Sequence, residues 1–530
     1  MVNPGWFARY FQDFEPALAY NPFLKDKPEQ VFRVFALGGS TTAGFPYFFY
    51  HGFPARLAEK LEAAHPTRRI EVVNLGATAV SSWTLSDLTG AVIEHEPDAV
   101  VIYAGHNEYY GAFGAGSTVG RLRSPGLKRL VLRLKRTVLY TLLERLISRQ
   151  GPSADRTLMA RVARDRAISL GGTTYRAGLE QFEGNMRAVL KDFARAGIMT
   201  FVGTLTSNLQ DQPPLGEDVE SLQAYARGVE LLRAADPIDA RQAFLEAKER
   251  DDVRFRAPEA MNEIIRRLAD ELDATLVDVQ GAFRSQGLEG DSLFTDHLHP
   301  NAKGYDVMAA AFFDGLSELG VADDMVAHLP EVFVDPVDEA YAALQIRRLK
   351  GGYPFAKAVS PDEEARAFAA MLEDHLGSGR LADSLAAELA MGVTTPPEAL
   401  LGAARYAREA ADTLAALLYY RSLMHWQPFN DELFREAVAF GSAAVDFDSA
   451  LGSMVALTVR QERHVDRLNL LAAIQLRQGR LRAADLLLSE VEQRDSLSTV
   501  MLFNKARLLV LTGDTLAARS YWDRYRAASK

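Results

Sequence analysis

Three residues of this chain have the side-chain types of a hydrolytic triad: Ser40, Asp296 and His299. A serine hydroxyl is a poor nucleophile at neutral pH unless a general base takes its proton, and an imidazole can serve as that base. Asp296 and His299 stand three residues apart, so one ring nitrogen can face the carboxylate while the other faces Ser40. This combination predicts nucleophilic attack on an ester carbonyl, with Asp296 orienting and stabilising His299.

Short apolar runs, typical of buried strands, precede the polar residues of interest. The runs are VFRVFAL (31–37), IEVVNL (70–75), AVVIYA (99–104), IMTFVGT (198–204) and ATLVDV (274–279). Helical patterns such as residues 53–64 separate them, which favours a parallel sheet covered by helices on both faces. In such a sheet the active site lies beyond the carboxyl ends of the strands, where Ser40, Gly76 and Asn107 follow successive strands.

Four segments occur in the order that defines the SGNH (GDSL-like) family of serine hydrolases. They are GGSTTAGF around Ser40, NLGATAVSSW around Gly76, AGHNEYYG around Asn107 and FTDHLHPNAKGY around Asp296 and His299. The chain therefore resembles this family, and in particular its bacterial members that carry helical repeats. The resemblance implies an α/β fold, a three-layer α/β/α flavodoxin-like parallel sheet, and a serine hydrolase that requires neither a metal nor an organic cofactor.

The resemblance also implies which groups stabilise the negative charge on the carbonyl oxygen during attack. They are the backbone N–H groups of Ser40 and Gly76 and the side-chain amide of Asn107. Gly76 is expected to let bare backbone approach the substrate closely. The chain departs from the family pattern at Gly39, which replaces the aspartate of the GDS motif, and at Glu108, which replaces the aspartate after the motif asparagine. Neither is a triad residue, and the first change bears mainly on substrate preference.

Length and periodicity divide the chain into three parts. They are an N-terminal extension (1–30), an SGNH hydrolase domain (31–328) and an all-α domain (329–530). Two insertions are expected in the hydrolase domain: a basic helical segment at about 115–165 and a repeat-like helical hairpin at about 218–251. In the last part Gly479 and Gly513 stand 34 residues apart, which is the tetratricopeptide period. We expect tetratricopeptide-like repeats that bind a protein partner, with a structural cap as the alternative.

The segment from Arg121 to Gln150 holds nine Lys or Arg residues and one Glu, which predicts a basic amphipathic helix. It could form a solvated face, a lid over the active site or a contact with anionic lipid headgroups. Aromatic residues near the motifs are more often core than pocket, but some could line an acyl or sugar subsite. The candidates for substrate binding are Phe45, His106, Tyr109 and Tyr110.

Composition limits the partners and the compartment. The net charge of −11 and the isoelectric point near 5.5 argue against nucleic acid, because phosphate binding needs a basic surface. Zero cysteines exclude disulfides, thiolate zinc sites and cysteine nucleophiles. No run of about 18 apolar residues and no signal-peptide pattern occurs, so no membrane span is expected in this sequence. The compartment stays open, and it would be extracytoplasmic if an N-terminal anchor precedes Met1.

The expected function is hydrolysis of acyl or acetyl esters through an acyl-enzyme on Ser40, on substrates such as acylated carbohydrates or envelope lipids. An acyltransferase to a sugar hydroxyl is one alternative, and its product would depend on the acceptor. A non-catalytic repeat scaffold is another. Asp296, His297 and His299 could instead be metal ligands, but no second cluster in the sequence supplies further ligands, so no metal is expected.

Overall fold

One parallel sheet of five strands lies at the centre of the hydrolase region. The computed structural model describes residues 6, 10, 23–29, 31–65, 68–117, 125–135, 167–317, 334–356, 359–428, 430–441, 455 and 464–529. The strands are β1 (Val31–Gly38), β2 (Arg69–Asn74), β3 (Ala99–Tyr103), β4 (Met199–Gly203) and β5 (Thr275–Val277). Each begins and ends within two residues of the predicted run.

The strand order is β2-β1-β3-β4-β5, which is the flavodoxin-like order. Every residue of β1 and β3 is buried, as expected for central strands covered on both faces. The chain order reverses between β1 and β3, and a crevice opens beyond their carboxyl ends at such a switch point. The predicted fold class is confirmed, and it places the loops after β1 and β3 side by side.

Ten helices of the described residues belong to this region. They are α1 (Ser40–Ala43), α2 (Phe53–Ala64), α3 (Ser82–Ile93), α4 (Pro125–Lys135), α5 (Thr173–Arg195), α6 (Val219–Arg233), α7 (Pro237–Arg250), α8 (Glu259–Glu271), α9 (Val279–Ser285) and α10 (Ala302–Ser317). Helix α2 packs against α10, and α3 and α8 both pack against α5. A short 3₁₀ turn, Phe49–His51, lies between α1 and α2.

The two predicted insertions are seen to different extents. In the basic insertion, α4 covers Pro125–Lys135, and most of the rest of the predicted segment lies outside the described residues. The second insertion is the helical pair α6 and α7, whose first turns are capped by the side chains of Asp218 and Asp236. Gly228 lets this pair pack closely, because a Cβ there would lie 2.7 Å from the ring of Phe244.

The C-terminal region is all-helical among the described residues. It contains α11 (Pro336–Lys350), α12 (Pro361–Leu376), α13 (Leu381–Ala390), α14 (Pro396–Glu409), α15 (Thr413–Trp426), α16 (Asp431–Gly441), α17 (Val465–Arg477), α18 (Leu481–Arg494), α19 (Thr499–Leu511) and α20 (Thr515–Ala528). The last four helices form two hairpins, α17 with α18 and α19 with α20. Gly479 and Gly513 occupy the two turns with left-handed φ angles of 73° and 86°. The tetratricopeptide assignment and the domain boundaries stay predictions.

Two parts of the chain cross the predicted domain limits. Trp6 and Tyr10, from the predicted N-terminal extension, both donate hydrogen bonds to Asp87 of α3, at 2.9 and 2.7 Å. Phe49 and Tyr50, which follow the nucleophile segment, belong to the apolar core of the C-terminal helices. Side chains of the hydrolase region therefore form part of the core of the helical region. In the described part of the chain no helix is long and apolar enough to cross a membrane.

Gly38 allows the turn from β1 into α1, because a Cβ there would lie 2.0 Å from the Thr42 hydroxyl and 2.2 Å from the Tyr103 carbonyl oxygen. We predict that Gly38→Ala lowers the free energy of unfolding by about 1–3 kcal/mol through overpacking. Gly90→Ala is the control, since nothing lies within 4 Å of that position in α3. It should be neutral or stabilising by up to ~1 kcal/mol. Urea unfolding measures both, and equal stability of Gly38→Ala and wild type would contradict the packing argument.

Candidate active site

The first residue of α1 is Ser40, so its hydroxyl stands directly beyond the carboxyl end of β1. Its Oγ lies 2.7 Å from Nε2 of His299, which is hydrogen-bonding distance. The two residues are 259 positions apart in sequence. The fold therefore brings together a hydroxyl and an imidazole that the sequence analysis had paired by residue type.

The other ring nitrogen of His299, Nδ1, lies 2.7 Å from Oδ2 of Asp296. Oδ1 of the same carboxylate accepts the backbone N–H groups of Leu298 and His299, both at 2.8 Å. Burial by itself raises the pKa of this carboxyl, but electrostatic interactions with His299 and His297 and the hydrogen bonds hold the pKa well below its usual value. Asp296 is thus a buried, ionised carboxylate that orients the imidazole.

Backbone hydrogen bonds hold the segment that carries this pair. The N–H and the hydroxyl of Thr295 both donate to the carbonyl oxygen of His299, at 2.9 and 3.0 Å. Asn208, after β4, donates through its side chain to the carbonyl of Asp296 and through its backbone to the carbonyl of His297, at 3.2 and 3.0 Å. The His299 ring therefore has a defined position before any substrate binds.

Asn107 reaches the nucleophile from the loop after β3. A Cβ on Gly39 would lie 2.9 Å from the Asn107 Nδ2 atom, so the amide occupies the space beside the backbone of the nucleophile turn. Glycine at position 39, where the family motif has aspartate, leaves room for that amide in this chain. Ser40, Gly39 and Asn107 line one small cavity.

Glu108 holds the Asn107 loop in place rather than facing the cavity. Its fully buried carboxyl accepts the backbone N–H of Ser82 at 3.0 Å, the Ser82 hydroxyl at 2.8 Å and the side-chain amide of Gln181. Burial raises the pKa of this carboxyl, and the hydrogen bonds to Gln181 and Ser82 oppose that rise. The longer glutamate of this chain therefore connects the loop after β3 to α3 and α5.

Gly76 does not have the role that the sequence predicted. Its N–H donates to Oδ1 of Asn74 at 2.8 Å, so it is not available to a substrate oxygen. A Cβ at Gly76 would lie 2.2 Å from the backbone nitrogen of Ala43. Asn74 in turn donates to the carbonyl oxygen of Thr42 at 2.8 Å. The expectation of an oxyanion donor at Gly76 is therefore wrong. Close packing of α1 against the loop after β2 requires a glycine here, and the Asn74 side chain already accepts its N–H.

Ala79 has a special backbone conformation that the sequence did not predict. It has a left-handed φ of 58°, which is unusual for a residue with a Cβ. Its carbonyl accepts the N–H of Ala112, but none of the described residues accepts its own N–H. The next residue, Val80, lines the same cavity as Ser40 and Asn107. A glycine here would have signalled the special backbone in the sequence, whereas an alanine gives no such signal.

The four predicted substrate-binding residues divide into two pairs. Phe45 is half-buried with its ring 4.6 Å from the His299 ring, and His106 lines the cavity. Tyr109 and Tyr110 are only 0% and 2% exposed and do not line this cavity. The Tyr109 hydroxyl donates to the carbonyl of Tyr175, and the Tyr110 ring packs against another core aromatic ring. The expectation of substrate contact by Tyr109 and Tyr110 is wrong, because both side chains are used to pack the core.

Two buried clusters could in principle bind a metal ion. The ligand atoms of Asp296, His297 and His299 lie within 4.8 Å of one another, as do those of His51, Asp335 and Asp338. In the first cluster both carboxylate oxygens already accept N–H groups of the chain, and Nε2 of His299 faces the Ser40 hydroxyl. This arrangement favours proton transfer between a hydroxyl and an imidazole over coordination of a cation.

Comparison with known proteins decides the family. The sequence profile of the GDSL-like Lipase/Acylhydrolase family matches residues 36–168 and 147–307, which together cover more than half of the chain. The chain belongs to the GDSL-like lipase/acylhydrolase family. It is an ester-hydrolysing enzyme. A search of the curated proteins finds no match.

Solved structures that resemble this acylhydrolase cover about half of its chain. The acetyl xylan esterase AlAXEase has 15% identity and a TM-score of 0.29, over 54% of this chain and 100% of its own. A mutant of an acetylxylan esterase from Geobacillus stearothermophilus has 16% identity and a TM-score of 0.29, over 55% and 96%. A lipase/acylhydrolase from Enterococcus faecalis has 13% identity and a TM-score of 0.30, over 54% and 96%. The family assignment rests on the profile match.

His106 of the acylhydrolase is a neutral, buried imidazole. Its Nδ1 accepts the backbone N–H of Ala257 at 3.2 Å, and its Nε2 lies 3.4 Å from the Tyr103 hydroxyl. Burial, followed by electrostatic interactions with His297 and Lys248 that oppose protonation, lowers the pKa of His106 to about 3. The residue therefore adds a fixed polar lining to the cavity without adding a positive charge beside His299.

The lowered pKa of His106 has a consequence for acid stability. Between the ordinary pKa of 6.5 and the native pKa of about 3, the unfolded chain binds a proton at His106 that the folded enzyme does not. Stability should therefore fall as the pH is lowered through this window, by up to about 1.4 kcal/mol per pH unit for one proton. We predict a shallower fall for His106→Gln, measured by urea unfolding at pH 8, 6, 5 and 4. At pH 8 the imidazole is neutral in both states, so a changed pH dependence must arise below 6.5. If the free energy of unfolding of His106→Gln falls as steeply with pH as that of wild type, the lowered pKa of His106 is contradicted.

Proposed function

We propose that the enzyme hydrolyses carboxylic esters through an acyl-enzyme on Ser40. The observation that carries this proposal is the pair of 2.7 Å contacts from the Ser40 hydroxyl to Nε2 of His299 and from Nδ1 of His299 to Asp296. Nε2 takes the hydroxyl proton as Oγ adds to the carbonyl carbon, and the imidazolium then protonates the departing alcohol oxygen. Water, deprotonated by the same nitrogen, hydrolyses the acyl-enzyme and restores the Ser40 hydroxyl.

Three N–H donors near Ser40 would stabilise the oxyanion formed in each step. We propose the backbone N–H of Ser40, the backbone N–H of Ala79 and the side-chain amide of Asn107. The described residues supply no hydrogen-bond acceptor for any of the three. Ser40, Asn107 and Val80, the neighbour of Ala79, line the same cavity. Donors held in place before substrate binds stabilise the developing charge without reorganisation.

The size of the cavity favours a short acyl group. It is a narrow space, partly open to solvent, and the residues that line it include Val80, Tyr103 and Leu298. The half-buried ring of Phe45 flanks His299. We propose acetyl and similarly short esters as the preferred acyl donors. By family resemblance, we place the alcohol part among acylated carbohydrates or envelope lipids.

The triad makes a direct kinetic prediction. Wild type should hydrolyse p-nitrophenyl acetate faster than the butyrate and octanoate esters, because a longer acyl chain does not fit the cavity. Ser40→Ala and His299→Ala should each lower kcat by roughly 10⁴-fold or more, since the nucleophile and its base act as one unit. Asp296→Asn should cost roughly 10⁴-fold through loss of the imidazole orientation. Stopped assays at matched enzyme concentration measure these ratios.

Fluorophosphonate labelling separates the possible outcomes of this kinetic experiment. Labelled wild type beside unlabelled Ser40→Ala supports an activated serine. Ester turnover that requires a sugar acceptor would indicate transfer in place of hydrolysis. If the wild type is neither labelled nor active on any ester, the acyl-enzyme proposal is overturned and a scaffold role is favoured.

Asn107 gives a prediction for the oxyanion donors. Asn107→Ala should lower kcat for p-nitrophenyl acetate by about 10²–10³-fold, because one donor to the oxyanion is lost. KM should change little, since the donor acts mainly on charge that develops during attack. Asn430→Ala, at an exposed position in the helical region, is the matched control and should behave as wild type. A rise in KM with unchanged kcat would instead assign Asn107 to substrate binding.

A further inference from the structure

A carboxylate of the helical region contacts the stretch of the hydrolase region that connects α1 to α2. Asp338 lies in the first turn of α11 and is fully buried. Its two oxygens accept the backbone N–H of Phe48 at 2.9 and 3.1 Å, and Oδ2 is hydrogen-bonded to Nδ1 of His51. Both partners belong to the short stretch between α1 and α2.

A second buried carboxylate fixes the position of Asp338. Asp335 caps α11 by accepting the Asp338 N–H at 2.9 Å, and its other oxygen accepts the hydroxyls of Ser422 at 2.7 Å and Tyr50 at 3.4 Å. Burial, and then the charge of Asp335, raise the pKa of Asp338 well above its usual value. Two buried carboxyl groups at one contact are costly unless they are hydrogen-bonded. The hydrogen bonds from Phe48 to Asp338 and from Ser422 and Tyr50 to Asp335 meet that requirement.

Aromatic rings close the same contact. Phe48 stacks on Tyr341 of α11 with ring centroids 5.0 Å apart, and Tyr50 stacks on His425 of α15 at the same distance. Phe49 meets the ring of Trp426 edge-on, also at 5.0 Å. Aromatic side chains in such pairs add to the area that the contact buries. The stretch from Phe48 to His51 is therefore packed mainly by helices that follow the hydrolase region in sequence.

The same stretch continues directly into the side of the active site. Phe45, three residues before Phe48, has its ring 4.6 Å from His299. Its carbonyl oxygen accepts the hydroxyl of Tyr305 in α10, at 2.5 Å. Phe45 is thus attached to α10 on one side and, through Phe48, to Asp338 on the other. These are two fixed points for a ring that flanks the general base.

We propose that Asp338 is a positioning residue for the active site: by anchoring the Phe48 backbone it sets the position of Phe45 beside His299, and so determines acyl-chain selectivity. The effect on turnover rests on the proposed hydrolysis at Ser40. Under this proposal the helical region is a required part of the active site as well as a candidate surface for partners. Asp338 touches no substrate and acts through Phe45.

The test compares selectivity, expressed as the ratio of kcat/KM for p-nitrophenyl acetate to that for the octanoate. Asp338→Ala should lower this ratio by about tenfold, because small displacements of a flanking group have large effects on reacting geometry. Asp338→Asn keeps an acceptor for the Phe48 N–H and should restore most of the ratio. Phe45→Ala should lower the ratio to the same extent. The double variant Asp338→Ala/Phe45→Ala should show no further loss, since contacts that act in series are not additive.

The control is Glu59→Gln, which removes the ion pair between α2 and Arg421 of α15 across the same contact without touching the Phe45 to His51 stretch. Its selectivity ratio should equal that of wild type, even if its melting temperature falls as far as that of Asp338→Ala. A ratio that follows melting temperature in all variants would overturn the positioning role, as would additive losses in the double variant.

A fluorescence measurement keeps the proposal testable if the ester assays fail. Enzyme carrying Phe45→Trp should change its emission and its acrylamide quenching when Asp338→Ala is added, and should not change with Glu59→Gln. Because Trp426 already lies at this contact, the change is measured as a difference from Asp338→Ala enzyme that retains Phe45. That difference depends on the position of residue 45 and not on turnover. Inactive wild type together with a fluorescence change would overturn the proposed function alone. Unchanged fluorescence would overturn the inference alone.

Discussion

The active site depends on how closely α1 approaches the ends of three strands and their loops. Gly38 and Gly76 leave less than 3 Å between the position of a Cβ and atoms of the neighbouring segment. Asn74 joins the loop after β2 to the carbonyl of Thr42 in α1. A closely packed turn of this kind cannot adjust to added volume without moving its side chains. The position of the Ser40 hydroxyl follows from this packing more than from any single hydrogen bond.

Buried ionisable groups give the site its electrostatic character. Asp296 is ionised because backbone N–H groups of its own segment donate to it and the neighbouring imidazole rings interact with it favourably. His106 is neutral because burial and nearby positive charge oppose its protonation. Glu108 is buried among hydrogen-bond donors and serves to hold the Asn107 loop. A charge that is paired and hydrogen-bonded can be buried, and the site contains one such carboxylate beside the ring that would become an imidazolium.

The contact between the hydrolase region and the C-terminal helices lies next to this site. Phe49 and Tyr50 contribute to the core of the helices, and Asp335 and Asp338 return hydrogen bonds to the stretch that contains them. Shared cores of this kind limit independent motion of two regions, whereas a polar contact would permit it. Among the described residues, the C-terminal helices therefore pack directly against the stretch that follows α1.

The sequence by itself determined the strands, their parallel arrangement and the pairing of Ser40 with Asp296 and His299 by residue type. Strand runs and the DxxH spacing are local patterns, and local patterns can be read from one chain. Tertiary structure alone decided that Gly76 packs against α1, that the Ala79 N–H has no acceptor among the described residues, and that Tyr109 and Tyr110 fill the core. It also decided that Asp338 contacts Phe48, a partner 290 residues away. Such contacts depend on packing between distant segments, which no residue type or spacing encodes, because only the folded chain brings those atoms within bonding distance.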